Sequence, residues 1–341
     1  MMAELERLFR DLQWSQPRMI TQLHGDASAR QYFRIRCADG RTIIMMQMPV
    51  GAASVSEEIT NFRGTCDEPP FIAMHRVLTA AALPTPALLH DDRAERRLFL
   101  EDLGDTPLAT LVLQATSAER IAWYQRAIDL LVTMQAAMAA VPAAQSLAAQ
   151  RSFDAALLNW EFDHFAEYAL AARGAPLRAD AARHFQEASR CITQILLALP
   201  SAFTHRDFQS RNLMWHGERL CLIDFQDALC GPYIYDLVSL LRDSYVPLTT
   251  DELTTLLRYF ADATRRDLSS VTEHFHVMTI QRKMKDAGRF LYIDRVKGNP
   301  NFLQYLPTSL TYVHDALAAI PRFAPLIATL RPSLPEWQET P

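Results

Sequence analysis

Residues 204–225 constrain this chain more than any other stretch; they read THRDFQSRNLMWHGERLCLIDF. Two apolar-rich runs, 212–215 and 220–224, flank the short turn His216-Gly217-Glu218, and this pattern predicts a β-hairpin. A hairpin returns its two ends to one place. Asn212 at its entrance and Asp224 at its exit are therefore brought together, with Asp207 on the loop just before. The flanking segments show helical spacing, so the hairpin must sit on a mainly helical body.

The rest of the chain changes texture near residue 104. Leu5, Leu8, Phe9 and Leu12 recur at helical spacing, which predicts a helix over residues 1 to about 20. Runs 31–36 and 42–46 are β-rich and joined by Ala38-Asp39-Gly40, a second hairpin. A helix is predicted over 70–82, ended by Thr85-Pro86, then a strand, RLFLE, over 97–101. Asp102-Leu103-Gly104-Asp105 breaks the pattern. Helical spacing follows over 117–140, 153–172, 178–199, 236–243, 251–262, 271–293 and 307–319. The expected architecture is α+β with two lobes: a small β-containing N-lobe over 1–103 and a larger, mainly helical C-lobe over 104–341. A cleft between lobes is a preferred place for a ligand.

Composition removes several classes of function. Hydrophobic residues make up 49% of 341, which suits a folded chain with a sizeable core. The net charge is −5 and no Lys/Arg run stands out, so nucleic acid is not an expected partner. The five cysteines form no CxxC pair, which argues against a disulfide scaffold or a Cys-rich zinc site. The N-terminus has no signal-like apolar core. The most apolar window, 130–144, is interrupted by Thr133, Gln135 and Pro142 and falls short of the roughly 20 residues a bilayer span needs. A cytoplasmic monomer is expected. No two glycines are spaced GxG, and Walker A, GxSxG and HExxH patterns are absent.

Against those exclusions, His205-Arg206-Asp207 with Asn212 fits H-x-D-x-x-x-x-N, and Ile223-Asp224-Phe225 follows across the hairpin. Phosphoryl transfer requires alignment of an acceptor hydroxyl and compensation of phosphate charge. Asp207 is placed to accept the hydroxyl proton. Asn212 and Asp224 supply the hard oxygens that magnesium takes. His205 is expected to hydrogen-bond within the loop and fix the direction of Asp207. The alternative is a polar loop whose Asp and Asn merely cap turns and helices. It leaves two acids and an amide on adjoining loops unexplained.

The segments HRDFQSRNLM and LIDFQDALCGPYIYDLVSLLRDSY resemble the aminoglycoside phosphotransferase-like kinases. More narrowly, the chain is similar to the N-acetylmuramate/N-acetylglucosamine 1-kinases, which phosphorylate an anomeric hydroxyl in cell-wall recycling. GDASARQYFR over 25–34, LEDLG over 100–104 and QRKMK over 281–285 with Gly288 and Phe290 extend the match. The resemblance implies a two-lobed protein-kinase-like fold, ATP and Mg2+ between the lobes with adenine near Glu101 and Leu103, an amino-sugar acceptor, and support of the catalytic loop by Asp236. One departure from the general kinase pattern stands out. Strand 43–47, IIMMQ, has no lysine for the nucleotide phosphates, and helix 70–82 has no glutamate to pair with one. Arg30 and Arg34 are candidates for the missing charge, with Ser28 and nearby backbone N–H groups as further phosphate contacts. The plain reading of both arginines is a solvated strand face.

Other residues carry two readings each. Asp236 follows Gly231-Pro232 and can cap a helix. Asp227 can touch a metal or the sugar, or cap a turn. Arg206 and Arg211 can stabilise the transferring group or form ion pairs. Phe162, Phe165, Glu167 and Tyr168 on one helix, with Arg282, Lys285 and Arg289 on another, offer an acceptor platform, of which Tyr168 and Arg282 are the chosen contacts; aromatics at this spacing more often form core. Residues Arg289, Leu291, Tyr292 and 294–298 depart from the usual sugar-kinase pattern. The sequence thus predicts an ATP-dependent small-molecule kinase. An aminoglycoside, choline-like or homoserine-like acceptor, or a non-catalytic pseudokinase, are the alternatives. A protein kinase is disfavoured because no long segment or A-P-E follows Asp224.

Overall fold

The computed structural model describes residues 1–23, 30–48 and 68–338. Helix α1 (Met2–Asp11) is shorter than its expected span, because the chain turns at Leu12 and enters strand β1 (Pro17–Leu23). Pro17 lacks the N–H a continuing helix needs. Strands β2 (Gln31–Cys37) and β3 (Thr42–Gln47) form the expected hairpin about Gly40, whose φ of +87° suits glycine. Helix α2 (Pro70–Ala80) starts on proline and leads to β4 (Leu88–Asp92) and β5 (Arg97–Glu101). All five strands pair antiparallel in the order β1-β2-β3-β5-β4.

Alternation along the strands gives the sheet two buried faces. Ile43 and Met45 of β3 and Phe99 of β5 pack with Leu5 and Phe9 of α1. Met46, Leu98 and Leu100 point the other way and join the main core with Phe71, Met74 and Leu78 of α2. Beyond β5, Asp102 and Gly104 form the connector. Arg34 of β2 clamps it, donating to Asp102 (2.9 Å), Asp105 (2.8 Å) and the Gly104 carbonyl (3.1 Å).

The helical lobe comprises α3 (Leu108–Gln114), α4 (Ser117–Ala139), α5 (Ala155–Phe165), α6 (Ala179–Ala198), α7 (Tyr235–Leu241), α8 (Thr250–Thr264), α9 (Leu268–Lys297), α10 (Leu306–Ala319) and α11 (Pro325–Leu330). Thr116 with Glu119 and Thr249 with Glu252 form capping boxes at α4 and α8. The helix expected over 153–172 is regular only to Phe165, then passes through a π-helical turn, Ala166–Leu170. Helix α9 is the central strut; every residue from 277 to 284 is buried, Gln281, Arg282 and Lys283 included. Gly288 lets α9 press against α5, since a Cβ there would lie 3.0 Å from the Phe165 backbone. Strands β6 (Ser201–Thr204) and β9 (Leu229–Pro232) pair with each other. Strands β7 (Leu213–His216) and β8 (Arg219–Leu222) form the expected second hairpin. Its loop residues Gly217 and Glu218 have φ of +54° and +66°, as a two-residue primed turn requires.

Candidate active site

The loop after β6 is held by carboxylates behind it. Backbone N–H groups of His205 and Arg206 donate to Asp236 at 2.6 and 3.1 Å. Ser210 N–H donates to Asp243 at 3.0 Å. Arg206 sits at φ +74°, a conformation that costs a non-glycine residue free energy and persists only where its surroundings fix it. Asp236, in the first turn of α7, spends its carboxylate on the loop and does not cap its own helix. The cap reading is therefore corrected.

The hairpin performs the juxtaposition expected of it. Leu213 faces Leu222 across the ladder, and Ile223 N–H donates to the Asn212 carbonyl at 3.1 Å. Asn212 and Asp224 thus flank the open end. Asn212 Nδ2 donates to the Asp207 carbonyl at 2.9 Å, which fixes the amide and leaves its oxygen uncommitted by that bond. Asp224 has φ +62°, which Asp tolerates better than most residues. Gln226 Nε2 bridges Asp224 (2.8 Å) and Asp227 (2.9 Å), a neutral donor between two acids. Phe225 is fully buried and stacks on Phe71 of α2 at 4.9 Å. The aromatic pair links α2 to this loop, at the helix that lacks a glutamate.

The electrostatics set Asp207 apart from Asp224. Burial opposes ionisation of Asp207, but the charges of Lys285, Arg282 and Arg206 outweigh it and hold its pKa below the ordinary carboxylate value. Its side chain is 36% exposed, so the carboxylate is both ionised and reachable. Asp224 is pushed up to about 6 by burial and by the charge of Asp207, with Asp227 adding to it. His205 is lowered to about 4 by complete burial and stays neutral. The hydrogen bond within the loop expected of its ring is not formed, because neither buried ring nitrogen reaches a partner at hydrogen-bonding geometry, and this corrects its expected role in directing Asp207. Among the described residues, no three His, Cys, Asp or Glu side chains could hold a metal by themselves.

The remaining candidates fall at different places. Arg30 lies 3.5 Å from Asp224 and faces the carboxylates. Arg34 does not share this position; its partners are the connector groups, so it braces the lobes' junction. Glu101 accepts from Ala87 N–H at 3.0 Å and lies 3.4 Å from His216, while Leu103 is buried beside it. Ser28 lies outside the described residues. Arg211 donates to Tyr305 Oη at 2.8 Å and lies 3.7 Å over the Tyr245 ring, an aromatic seat with no local sequence signature. Arg282, expected at the acceptor, is an interior strut: it contacts Asp207 at 3.4 Å and donates to Ser239 at 3.2 Å and to Asp286. Arg206 pairs with buried Glu161 at 3.8 Å. Phe162 and Phe165 are core, whereas Tyr168 stays half-buried. Asp243 and Glu161 escaped sequence reasoning; each acts across more than 30 positions and follows no local motif.

A small antiparallel lobe, a helical lobe and an ionised aspartate beside an Asn–Asp pair define a kinase-like phosphotransferase with an alcohol group as acceptor. Comparison with known proteins gives the family. The model of the phosphotransferase enzyme family matches residues 19–273, and the chain belongs to that family. An N-acetylmuramate/N-acetylglucosamine kinase of Pseudomonas aeruginosa is 30% identical over 95% of this chain and 90% of its own. Kinases of the same name from Neisseria meningitidis and Pseudomonas putida are 29% and 28% identical, covering 91% and 95% of this chain and 89% and 91% of theirs. The fold is shared with a choline/ethanolamine kinase family protein of Mesorhizobium loti (TM-score 0.59, 16% identity, 92% of each chain). It is also shared with an ADP-bound aminoglycoside phosphotransferase (TM-score 0.58, 13% identity, 92% of this chain and 99% of the other).

Proposed function

We propose that this enzyme transfers the γ-phosphoryl group of ATP to the anomeric hydroxyl of N-acetylmuramate or N-acetylglucosamine, in the cytoplasm. The observation that carries the reading is the ionised, reachable Asp207 next to the Asn212–Asp224 pair. Asp207 accepts the hydroxyl proton as the phosphoryl group transfers, and Asn212 holds the loop that carries it. The residues fit a magnesium ion: Asn212 offers an amide oxygen, and the Asp224 carboxylate is crowded by two other acids whose repulsion a cation relieves. Magnesium bound there supplies charge compensation for the phosphates. Among the described residues no three acids converge to hold an ion by themselves, which suits an ion that keeps water and phosphate ligands. Arg30 stands in for the absent strand lysine. The 1–103 lobe and connector residues Glu101 and Leu103 take the nucleotide; the 104–341 lobe takes the acceptor, with Asp227 and Tyr168 near it. The names of the relatives support the sugar.

ADP release with magnesium-ATP tests this across N-acetylmuramate, N-acetylglucosamine, plain hexoses, kanamycin, choline and homoserine. Turnover confined to the N-acetyl sugars, with phosphate on the anomeric carbon, is expected. Asp207→Asn should lose about 10²–10⁴-fold in turnover while still binding nucleotide. Wild-type turnover in that variant removes Asp207 as the base. Nucleotide binding without turnover on any sugar favours the pseudokinase.

A further inference from the structure

Beside the phosphoryl-transfer residues lies a group of side chains that the chemistry above leaves without a task. Arg282, Lys285 and Arg289 stand at i, i+3 and i+7 on α9, along one side of the helix. Arg282 touches Asp207 at 3.4 Å. At 1.5 Å rise per residue, Lys285 and Arg289 lie about 5 and about 10 Å further along the axis, the reach of a sugar with a substituent. Their charge is poorly matched. Asp286 serves Lys283, Lys285 at 3.7 Å, and Arg282, which it shares with Asp207. Among the described residues Arg289 has no hydrogen bond and no ion pair; its guanidinium lies 5.1 Å over the Tyr292 ring. Burial disfavours the charged form of both Lys285 and Arg289, and the acids nearby do not restore it.

The facing wall comes from α5 and the π-helical turn. His164 and Tyr168 approach at 4.6 Å, and Tyr292 lies 5.4 and 5.2 Å from them. His164 is only 7% exposed, yet its Nε2 has no hydrogen-bond partner. A buried polar atom without a partner is costly unless something completes it. Its neighbours Arg289 and Lys285 are cations. The geometry points to a subsite for a carboxylate carried by the acceptor, held by Arg289 and Lys285, completed by His164, and walled by Tyr168 and Tyr292. This rests on the sugar-kinase reading and narrows its substrate: the acid-bearing N-acetylmuramate is preferred to neutral N-acetylglucosamine. A polycationic acceptor is repelled by the same pair.

Steady-state kinetics at saturating magnesium-ATP tests it with N-acetylmuramate, its methyl ester and N-acetylglucosamine. The acid should show a KM lower than its ester by about tenfold or more, one charge-assisted contact. Arg289→Gln should collapse that preference to about twofold, and Lys285→Gln should weaken it. Equal KM for acid and ester in the wild type overturns the inference while leaving sugar phosphorylation standing, and needs no variant to fold. If neither sugar is turned over, the functional reading fails, and the subsite is read without catalysis. The His164 imidazole resonance, assigned through His164→Gln, should then move on adding D-lactate but not D-lactamide, and should not move in Arg289→Gln. No response to D-lactate overturns the inference.

Discussion

Asp224 sits where burial, Asp207 and Asp227 all favour the protonated acid, with a pKa of about 6 against the ordinary 3.8. A group raised in this way contributes stability that is full below 3.8 and is lost as pH rises through about 6. Asp224→Asn removes that loss. The ligand-free variant should melt higher than wild type at pH 8, by order 1 kcal/mol after discounting the open side of the carboxylate, and the gap should close only as pH falls below 3.8. It should also bind magnesium-ATP more weakly; a variant that binds it normally removes Asp224 from the metal site. Asp207, Asn212 and Asp224 were legible in the sequence because their spacing along one loop and hairpin is itself the geometry. The aromatic seat of Arg211 was not, because Tyr245 and Tyr305 reach it from far along the chain. The same holds for Asp243, which closes on Ser210 from 33 positions away.

Periodicity found the helices well, since an apolar stripe at 3.6-residue spacing is local information. It failed where an element's reason is tertiary. Strand β4, LLHDD, has no apolar alternation and exists because β5 offers it a pairing edge. Strands β6 and β9 are four residues each and are fixed by one another. The closeness of α9 to α5 rests on Gly288. A methyl group there meets backbone atoms at 3.0 to 3.1 Å, which cannot swing aside as a side-chain tip could. Overpacking costs about 1–3 kcal/mol and alanine's helix propensity returns up to about 1. Gly288→Ala should therefore lower stability by order 1 kcal/mol in urea unfolding. A variant as stable as wild type would show that the helices part without cost.

At the scale of the molecule, the two lobes meet at a connector clamped by Arg34 of β2. The Asp102 carboxylate is 5% exposed, and Arg34 holds it at 2.7 Å. Arg34→Gln leaves that acid without its cation and frees the sheet from the connector. We expect KM for magnesium-ATP to rise about threefold or more with a smaller change in kcat, since the variant alters lobe placement and not the base. An unchanged KM would make the clamp a matter of stability alone. The two-lobed plan could be read from the change of texture near residue 104; the clamp could not, because Arg34 lies within β2 and Asp102 just beyond β5, 68 positions on. Helix α9 carries a further consequence. One rigid rod bears, along one side and on successive turns, Arg282 against Asp207 and, further along, Lys285 and Arg289. A lineage of such enzymes is therefore free to retune its diet by substitution on the distal turns, while the proximal turn keeps the ancestral chemistry in place.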